Sequence, residues 1–129
     1  MSGLSVTVHR DDPAGAVVAL IGEHDAQSAS RLGNDLMTLL DDGFCVVVDL
    51  SGATFVDSYA LSVLLSARFQ AEAAELGFVL VLPPGSQSQV HRILDVTGLG
   101  AAFAVVPTVD EALAAAREGH TAGKRLRVE

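Results

Sequence analysis

The sequence predicts one α/β domain with a mixed, mostly parallel β-sheet, an N-terminal β-hairpin and about four helices. Three observations lead to this fold class. Short apolar segments alternate with amphipathic segments in the order β-β-α-β-α-β-α-β-α. The first segment alternates apolar and polar residues, whereas residues 44–50 form a continuous apolar run typical of a central strand. Repeated strand-helix-strand units imply parallel strands joined by right-handed crossovers.

The N-terminal segments predict a hairpin at the edge of this sheet. Residues 4–9 alternate apolar and polar side chains, which predicts a strand with one solvent-facing side. Residues 11–15 (Asp-Asp-Pro-Ala-Gly) combine the residue types that favour a turn. Residues 16–21 are apolar and predict a second strand that pairs antiparallel with the first.

The first helix is predicted for residues 26–41. Residues 22–25 (Gly-Glu-His-Asp) end the second strand, and Asp25 is suited to cap the helix N-terminus. Apolar residues then recur at steps of three and four, which indicates an amphipathic helix. The residues predicted to face the core are Ala29, Leu32, Leu36, Leu39 and Leu40. Gly43 follows the last turn, where a glycine commonly ends a helix.

The second helix is predicted to begin at Ser58. A central strand over residues 44–50 precedes it, and residues 51–57 are predicted to form the connecting loop. The helix extends to about Glu75, and Gly77 ends it. The large apolar side chains predicted for one side of this helix are Leu61, Leu64, Leu65 and Phe69.

The C-terminal part continues the alternation of strands and helices. Residues 78–82 predict a buried strand, which a Pro-Pro-Gly turn ends. The next helix starts within residues 86–88 and ends near Val96, and its predicted inward residues are Val90, Ile93 and Leu94. Residues 102–106 predict the last strand. Acidic residues at the start of the segment 110–118 suit the dipole of a final helix.

Composition and charge restrict the classes of function. Half of the 129 residues are hydrophobic, which suffices for the core of one domain, predicted to span residues 1–118. Residues 119–129 are predicted to form a short, flexible tail. The formal net charge of −8 disfavours binding to nucleic acid or to anionic lipid. The basic residues of the tail, which we interpret as solvated, are Lys124, Arg125 and Arg127.

The sequence predicts a cytoplasmic protein. Its N-terminus lacks the basic and apolar regions of a signal peptide, and no apolar run is long enough to span a bilayer. The single cysteine, Cys45, lies within an apolar strand and has no partner cysteine in the chain. A lone buried thiol fits a reducing compartment.

Ser58 is the main candidate for a functional residue. Asp57 is suited to cap the second helix, which places Ser58 at the first helical position with its hydroxyl toward solvent. Free N–H groups at a helix start bind phosphate well. A phosphate there would lie beside Asp57 and, if the second and third strands are neighbours, near Asp25. The residues alone leave two interpretations open, a phosphorylation site on a binding surface or a plain helix cap.

Motifs for catalysis, metal binding and cofactor binding are lacking in the sequence. Ser58 does not lie in the Gly-x-Ser-x-Gly pattern of hydrolases, and residues 98–100 (Gly-Leu-Gly) do not make a dinucleotide loop. The four histidines are not spaced as metal ligands, and they are His9, His24, His91 and His120. We therefore expect no catalytic residue, no metal and no cofactor, and a protein that is not an enzyme.

Several motifs, taken together, resemble the STAS domain family of anti-sigma factor antagonists. Residues 22–25 match its Gly-Glu-(apolar)-Asp, and residues 49–51 match its Asp-Leu-Ser. Residues 55–61 (Phe-Val-Asp-Ser-Tyr-Ala-Leu) are similar to its Asp-Ser-Ser/Thr-Gly-Leu motif. Residues 90–99 match an apolar helix that ends in Thr-Gly-Leu, and residues 109–113 match an acidic helix start. The resemblance covers nearly the whole chain and implies a single STAS-like domain.

The resemblance implies a switch that acts through partners. The serine matched by Ser58 is phosphorylated by an anti-sigma factor that is also a serine kinase. The unphosphorylated form binds this kinase and releases the sigma factor, and a phosphatase restores the serine. The implied partner-binding residues are Asp25, Asp57, Ser58, Tyr59 and Ala60. We expect a monomer or a weak homodimer, and ATP as the substrate of the partner.

Two residues depart from the family motif. Tyr59 replaces a small Ser or Thr, and Ala60 replaces Gly. Tyr59 is either a contact for a particular partner, a packed core ring, or a sign that the kinase reaction has been lost. The alternative function is a STAS subunit of a signalling scaffold or a lipid-transport complex without a phosphorylation cycle.

Overall fold

The computed structural model describes residues 3–9, 14–85 and 89–121 of the chain. These residues form a five-stranded sheet with the strand order β1-β2-β3-β4-β5. The strands are β1 (Gly3–His9), β2 (Gly15–His24), β3 (Cys45–Val56), β4 (Phe78–Val81) and β5 (Ala104–Val106). The helices are α1 (Ala26–Asp41), α2 (Ser58–Ala73), α3 (Gln89–Thr97) and α4 (Val109–Arg117), with a 3₁₀ turn at Leu99–Ala102.

The predicted fold class is confirmed. β1 pairs with β2 antiparallel and forms the N-terminal hairpin, while β2, β3, β4 and β5 are parallel to one another. Helices α1, α2 and α3 cover one face of the sheet and α4 covers the other. Alternate residues of β3 enter the two cores, since Val46 and Val48 pack on the first side and Cys45 and Val47 on the second.

Helix α1 follows its sequence pattern closely. The five residues predicted to face the core are its five buried residues, Ala29, Leu32, Leu36, Leu39 and Leu40. Gly43 follows the helix with φ +87°, the left-handed conformation that favours glycine. The prediction for α1 is therefore confirmed in its bounds, its buried face and its C-terminal glycine.

Helix α2 differs from its prediction at Phe69. Leu61 and Leu64 are buried as expected and Leu65 is partly buried, but Phe69 is 56% exposed. The helix instead contacts the core through small side chains, and its buried alanines are Ala60, Ala67 and Ala71. The side of α2 that packs is therefore the one that carries these alanines, and Phe69 lies outside it. The guanidinium of Arg68 lies over the ring of Phe69, with its Cζ 4.5 Å from the ring centre.

β2 and β3 extend well past their predicted ends. Residues 51–56, predicted as a loop, belong to β3 and pair with β2 up to the match of His24 with Val56. Two shifts of register occur along this part of the pair. Such irregularities disrupt the alternation of buried and exposed residues, which is why the sequence pattern of a strand is lost here. β4 pairs with β3 only up to Val81, which is opposite Asp49.

The C-terminal elements agree with the prediction in order and differ in detail. In α3, Val90 and Leu94 are buried and Ile93 is partly buried. β5 begins at Ala104 because the 3₁₀ turn occupies residues 99–102. In the part of the chain that the structure describes, no helix has the length and apolar character needed to cross a membrane.

Several predicted features lie outside the described residues. They are most of the turn at residues 11–15, the start of the third helix at residues 86–88 and the basic part of the tail at residues 122–129. The domain boundary at residue 118 stays a prediction. Beyond it, the carbonyl oxygen of His120 accepts a hydrogen bond from Phe78 N at 2.8 Å, and Thr121 is buried.

Candidate functional site

The candidate site lies where β2 and β3 end side by side. His24 is opposite Val56 in this parallel pair, and the amide of Asp57 donates to the carbonyl oxygen of His24 at 3.1 Å. Each strand is followed by one aspartate and then by a helix. Asp25 and Asp57 are therefore neighbours at the carboxyl edge of the sheet, as the sequence predicted for adjacent strands.

The start of α1 is closed by a capping box. Oδ1 of Asp25 accepts hydrogen bonds from the amides of Gln27 at 3.1 Å and Ser28 at 3.2 Å. The Ser28 hydroxyl oxygen in turn accepts from Asp25 N at 3.0 Å, and it donates to the Asp25 carbonyl oxygen at 3.2 Å. The hydroxyl of Ser28 is thus hydrogen-bonded to the backbone of Asp25.

The start of α2 is capped more sparsely. Oδ1 of Asp57 accepts one hydrogen bond, from the amide of Ala60 at 2.9 Å. Among the described residues, no group bonds to the Ser58 hydroxyl or takes up the amide protons of Ser58 and Tyr59. Ser58 is exposed. A free hydroxyl beside free helix N–H groups suits the addition of a phosphate.

Two apolar grooves flank the exposed start of α2. The first, about 250 Å³, separates α1 from α2, and its lining includes Met37 and Tyr59. Tyr59 is 66% exposed and Met37 is 50% exposed, so this groove opens onto an apolar patch. The second, about 230 Å³, lies between α2 and α3 and includes Ser58, Ile93 and Thr97 in its lining. Ser58 therefore lies beside a surface that offers apolar contacts as well as charge.

The two residues that depart from the family motif differ in placement. Tyr59 points outward and is not a packed core ring, so one of its three sequence interpretations is removed. Ala60 is fully buried, and its methyl group belongs to the core beneath α2. Its amide donates the hydrogen bond that Asp57 accepts as the cap of α2. The buried Ala60 side chain offers no surface to a partner.

His24 and Gln89 hold the backbone at the site. Nε2 of His24 donates to the carbonyl oxygen of Ile21 at 3.2 Å, and its ring is buried. The carboxamide of Gln89 bonds to both backbone groups of Val56, at 3.0 Å and 3.1 Å. The sequence analysis missed Gln89, because a glutamine at a helix start has no periodicity or motif that indicates such a contact. Within the described ranges, no cluster of His, Cys, Asp and Glu could hold a metal ion.

Solved structures share this arrangement of strands and helices. An anti-sigma factor antagonist from Mycobacterium paratuberculosis is 28% identical over 89% of this chain and 95% of its own, with a TM-score of 0.67. A putative anti-sigma factor antagonist from Thermotoga maritima is 24% identical over 88% of this chain and 94% of its own, with a TM-score of 0.71. The Bacillus cell fate determinant SpoIIAA in its phosphorylated form is 21% identical over 88% of this chain and 97% of its own, with a TM-score of 0.61. The last two likenesses establish the fold.

A family model assigns the chain directly. The comparison with curated proteins gives no match. The family model described as Mlab, STAS domain matches residues 8–109. That match covers well over half of the 129 residues and includes all the candidate site residues. The chain therefore belongs to the STAS domain family.

Proposed function

We propose that this protein is an anti-sigma factor antagonist that phosphorylation of Ser58 switches off. Its unphosphorylated form binds a kinase-type anti-sigma factor and thereby releases the sigma factor. The observation that carries the proposal is the free, exposed hydroxyl of Ser58 at the sparsely capped start of α2, next to the carboxylates of Asp25 and Asp57. The binding surface comprises Asp25, Asp57, Ser58 and Tyr59.

Similar proteins support this proposal. The structure that is 28% identical to this chain is named an anti-sigma factor antagonist. SpoIIAA, which shares the fold, is known both in an unphosphorylated and in a phosphorylated form. The fold thus accommodates a phosphorylated state in a relative, and the serine of the Asp-Ser motif is at a helix start in this chain.

The chemistry of the switch follows from the position of Ser58. In the complex, Oγ of Ser58 attacks the γ-phosphorus of ATP held by the partner, and the bond from phosphorus to the oxygen of the leaving ADP breaks. A carboxylate of the kinase accepts the hydroxyl proton. Hydrolysis by a phosphatase restores the serine. This chain holds neither ATP nor a metal in the proposal, and it contributes no catalytic residue.

Charge explains why the product would leave. A phosphoserine carries a charge of about −1.5 to −2 at neutral pH. It would lie beside Asp25 and Asp57 on this chain and face the nucleotide phosphates and the catalytic carboxylate of the kinase. A surface matched to a neutral hydroxyl then meets a bulky anion, which costs both contact and electrostatic energy. The free N–H groups of α2 stabilise the phosphate on the unbound protein, so the helix itself stays intact.

The proposal is tested with the purified protein, Mg-ATP and each kinase-type anti-sigma factor of the same organism. We expect one phosphate, which tandem mass spectrometry locates at Ser58. Ser58→Ala should keep partner binding and block modification, and Ser58→Asp should weaken binding by about tenfold or more, equivalent to about 1.4 kcal/mol. Ser28→Ala is the matched control, because Ser28 lies at the start of α1 with its hydroxyl engaged. Modification elsewhere, or equal affinity of the Ala and Asp variants, would contradict the switch.

A second candidate is a STAS subunit of a scaffold or transport complex that lacks a phosphorylation cycle. The exposed ring of Tyr59 beside the apolar groove with Met37 favours it, as does the Mlab description of the family model. In that case a complex that co-purifies with the protein would contain a scaffold protein or an ATPase. Tyr59→Ser would weaken that complex, while Ser58→Ala and Ser58→Asp would leave it unchanged.

A further inference from the structure

Val56, the last residue of β3, has no partner on strand β4. β3 pairs with β2 as far as Val56, with two register shifts on the way, but it pairs with β4 only as far as Asp49. Val56 ends the strand, is fully buried, and immediately precedes Asp57 and Ser58. A buried backbone group without a strand partner needs another hydrogen bond, because leaving it unpaired is costly.

Gln89 supplies the missing hydrogen bonds from the first residue of α3. The amide of Val56 donates to Oε1 of Gln89 at 3.0 Å, and Nε2 of Gln89 donates to the carbonyl oxygen of Val56 at 3.1 Å. A carboxamide carries both a donor and an acceptor, as a peptide group does. The Gln89 side chain therefore exchanges two hydrogen bonds with Val56, as one residue of an antiparallel neighbouring strand would.

We propose that Gln89 is a positioning residue for the proposed binding surface around Ser58. It fixes the backbone immediately before Asp57, while the hydrogen bond from Asp57 N to His24 fixes the other side. The start of α2 is thus held between β2 and α3. This inference rests on the proposed function, since it assigns to Gln89 the presentation of Ser58 to the partner.

The same contact ties α3 to the binding surface. Ile93 and Thr97 of α3 line the groove on which Ser58 lies. Gln89 belongs to that helix, one turn before Ile93. The hydrogen bonds of Gln89 therefore set the position of the Ser58 hydroxyl and of the opposite wall of the groove together. Loosening them displaces both features relative to each other.

Two substitutions separate the hydrogen bonds of Gln89 from its bulk. Gln89→Met keeps the length and removes both hydrogen bonds. Gln89→Glu keeps an oxygen that can accept from the Val56 amide, but it has no N–H to donate to the Val56 carbonyl oxygen. We therefore expect Gln89→Glu to speed exchange at the Val56 amide less than Gln89→Met does. Arg92→Gln is the control, because Arg92 is exposed on the same helix and its substitution changes the net charge by the same −1 as Gln89→Glu.

The first measurement is amide hydrogen exchange in the free protein, residue by residue. In Gln89→Met we expect exchange at least about tenfold faster at Val56, and also at Asp57 and Ala60, whose own hydrogen bonds go to other acceptors. Exchange in the middle of α1 should stay unchanged, as should every site in Arg92→Gln. Faster exchange at Val56 alone would overturn the proposal. Equal loss of protection across the whole domain would also overturn it, since that would mark a purely structural residue.

The second measurement is binding to the kinase that modifies Ser58 in the wild type. We expect Gln89→Met to weaken binding by about tenfold, which corresponds to about 1.4 kcal/mol, at an unchanged affinity of the kinase for ATP. Affinity equal to that of the wild type would overturn the positioning role. If no kinase binds the wild type, the proposed function fails, while the exchange data still decide whether Gln89 holds Asp57 and the start of α2.

Discussion

The two ends of the parallel sheet differ in how exposed their residues are. At the carboxyl end, the strands are followed by capped helix starts, and Ser58 and Tyr59 face solvent. At the amino end, Gly77 contacts the backbone of Ala116 closely, and Cys45 is buried. We call the first the open end and the second the packed end. The proposed function implies that substitution changes mainly recognition at the open end, and we expect it to change mainly stability at the packed end.

The thiol of Cys45 lies at the packed end and has low reactivity. Burial raises the pKa of the Cys45 thiol, an effect that the charge of Arg117 partly opposes. Cys45 is 3% exposed, with the backbone of Gly15 beside its Sγ, and it lines a small cavity of about 100 Å³ together with Gly77. A protonated, covered thiol is a poor nucleophile. Cys45 acts as a small apolar core residue, in agreement with the sequence prediction.

The largest effect is expected from Gly77→Ala at the packed end. A Cβ at this position would overlap the backbone of Ala116 in α4, and backbone cannot move aside as a flexible side chain does. We expect a loss of about 3 kcal/mol or more in the free energy of unfolding, measured by urea denaturation.

Gly33→Ala is the control for that substitution. Gly33 lies within α1, and a Cβ there makes ordinary contacts of 3.5 Å and 3.8 Å with Val63. The change should stabilise the protein by about 0.5–1 kcal/mol, the usual gain for alanine in a helix. Equal stability of the Gly77 variant and the wild type would remove the distinction between the two ends.

An intermediate effect is expected from Asp57 at the open end. Asp57→Ala removes the only side-chain cap of α2 found among the described residues and should cost about 1 kcal/mol. Asp57→Asn still caps a helix and should stay within about 0.5 kcal/mol of the wild type by urea denaturation. Both substitutions remove the charge next to Ser58, so both should change the affinity for the partner. An Asn variant as unstable as the Ala variant would mean that the charge, and not the cap, supports the fold.

The sequence allowed much of this architecture to be predicted, because it depends on local chemistry. The helical period located α1 and all of its buried residues, and the aspartate caps located the starts of α1 and α2. The continuous apolar run identified β3 as a central strand with both faces covered. The Asp-Ser pair before α2 likewise predicted a cap and an outward hydroxyl, but it was the resemblance to the family motif that made Ser58 the candidate switch.

The features that escaped prediction depend on contacts between distant residues. The extension of β3 to Val56 follows from its pairing with β2, and the register shifts erase the alternation that would reveal it. The exposure of Phe69 follows from which side of α2 is buried, because that side includes alanines that the pattern of large apolar residues does not reveal. The bond between Gln89 and Val56 joins residues 33 positions apart. No property of either residue alone indicates such a contact.

The smallest effect distinguishes the serines at the two helix starts. The Ser28 hydroxyl bonds to both backbone groups of Asp25, so Ser28→Ala should cost about 0.5–1 kcal/mol of stability. The Ser58 hydroxyl has no partner among the described residues, so Ser58→Ala should change stability by less than about 0.5 kcal/mol. Urea denaturation of the two variants, measured beside the wild type, checks both values. A larger loss for Ser58→Ala than for Ser28→Ala would mean that Ser58 supports the helix, and the open end would then resemble the packed end.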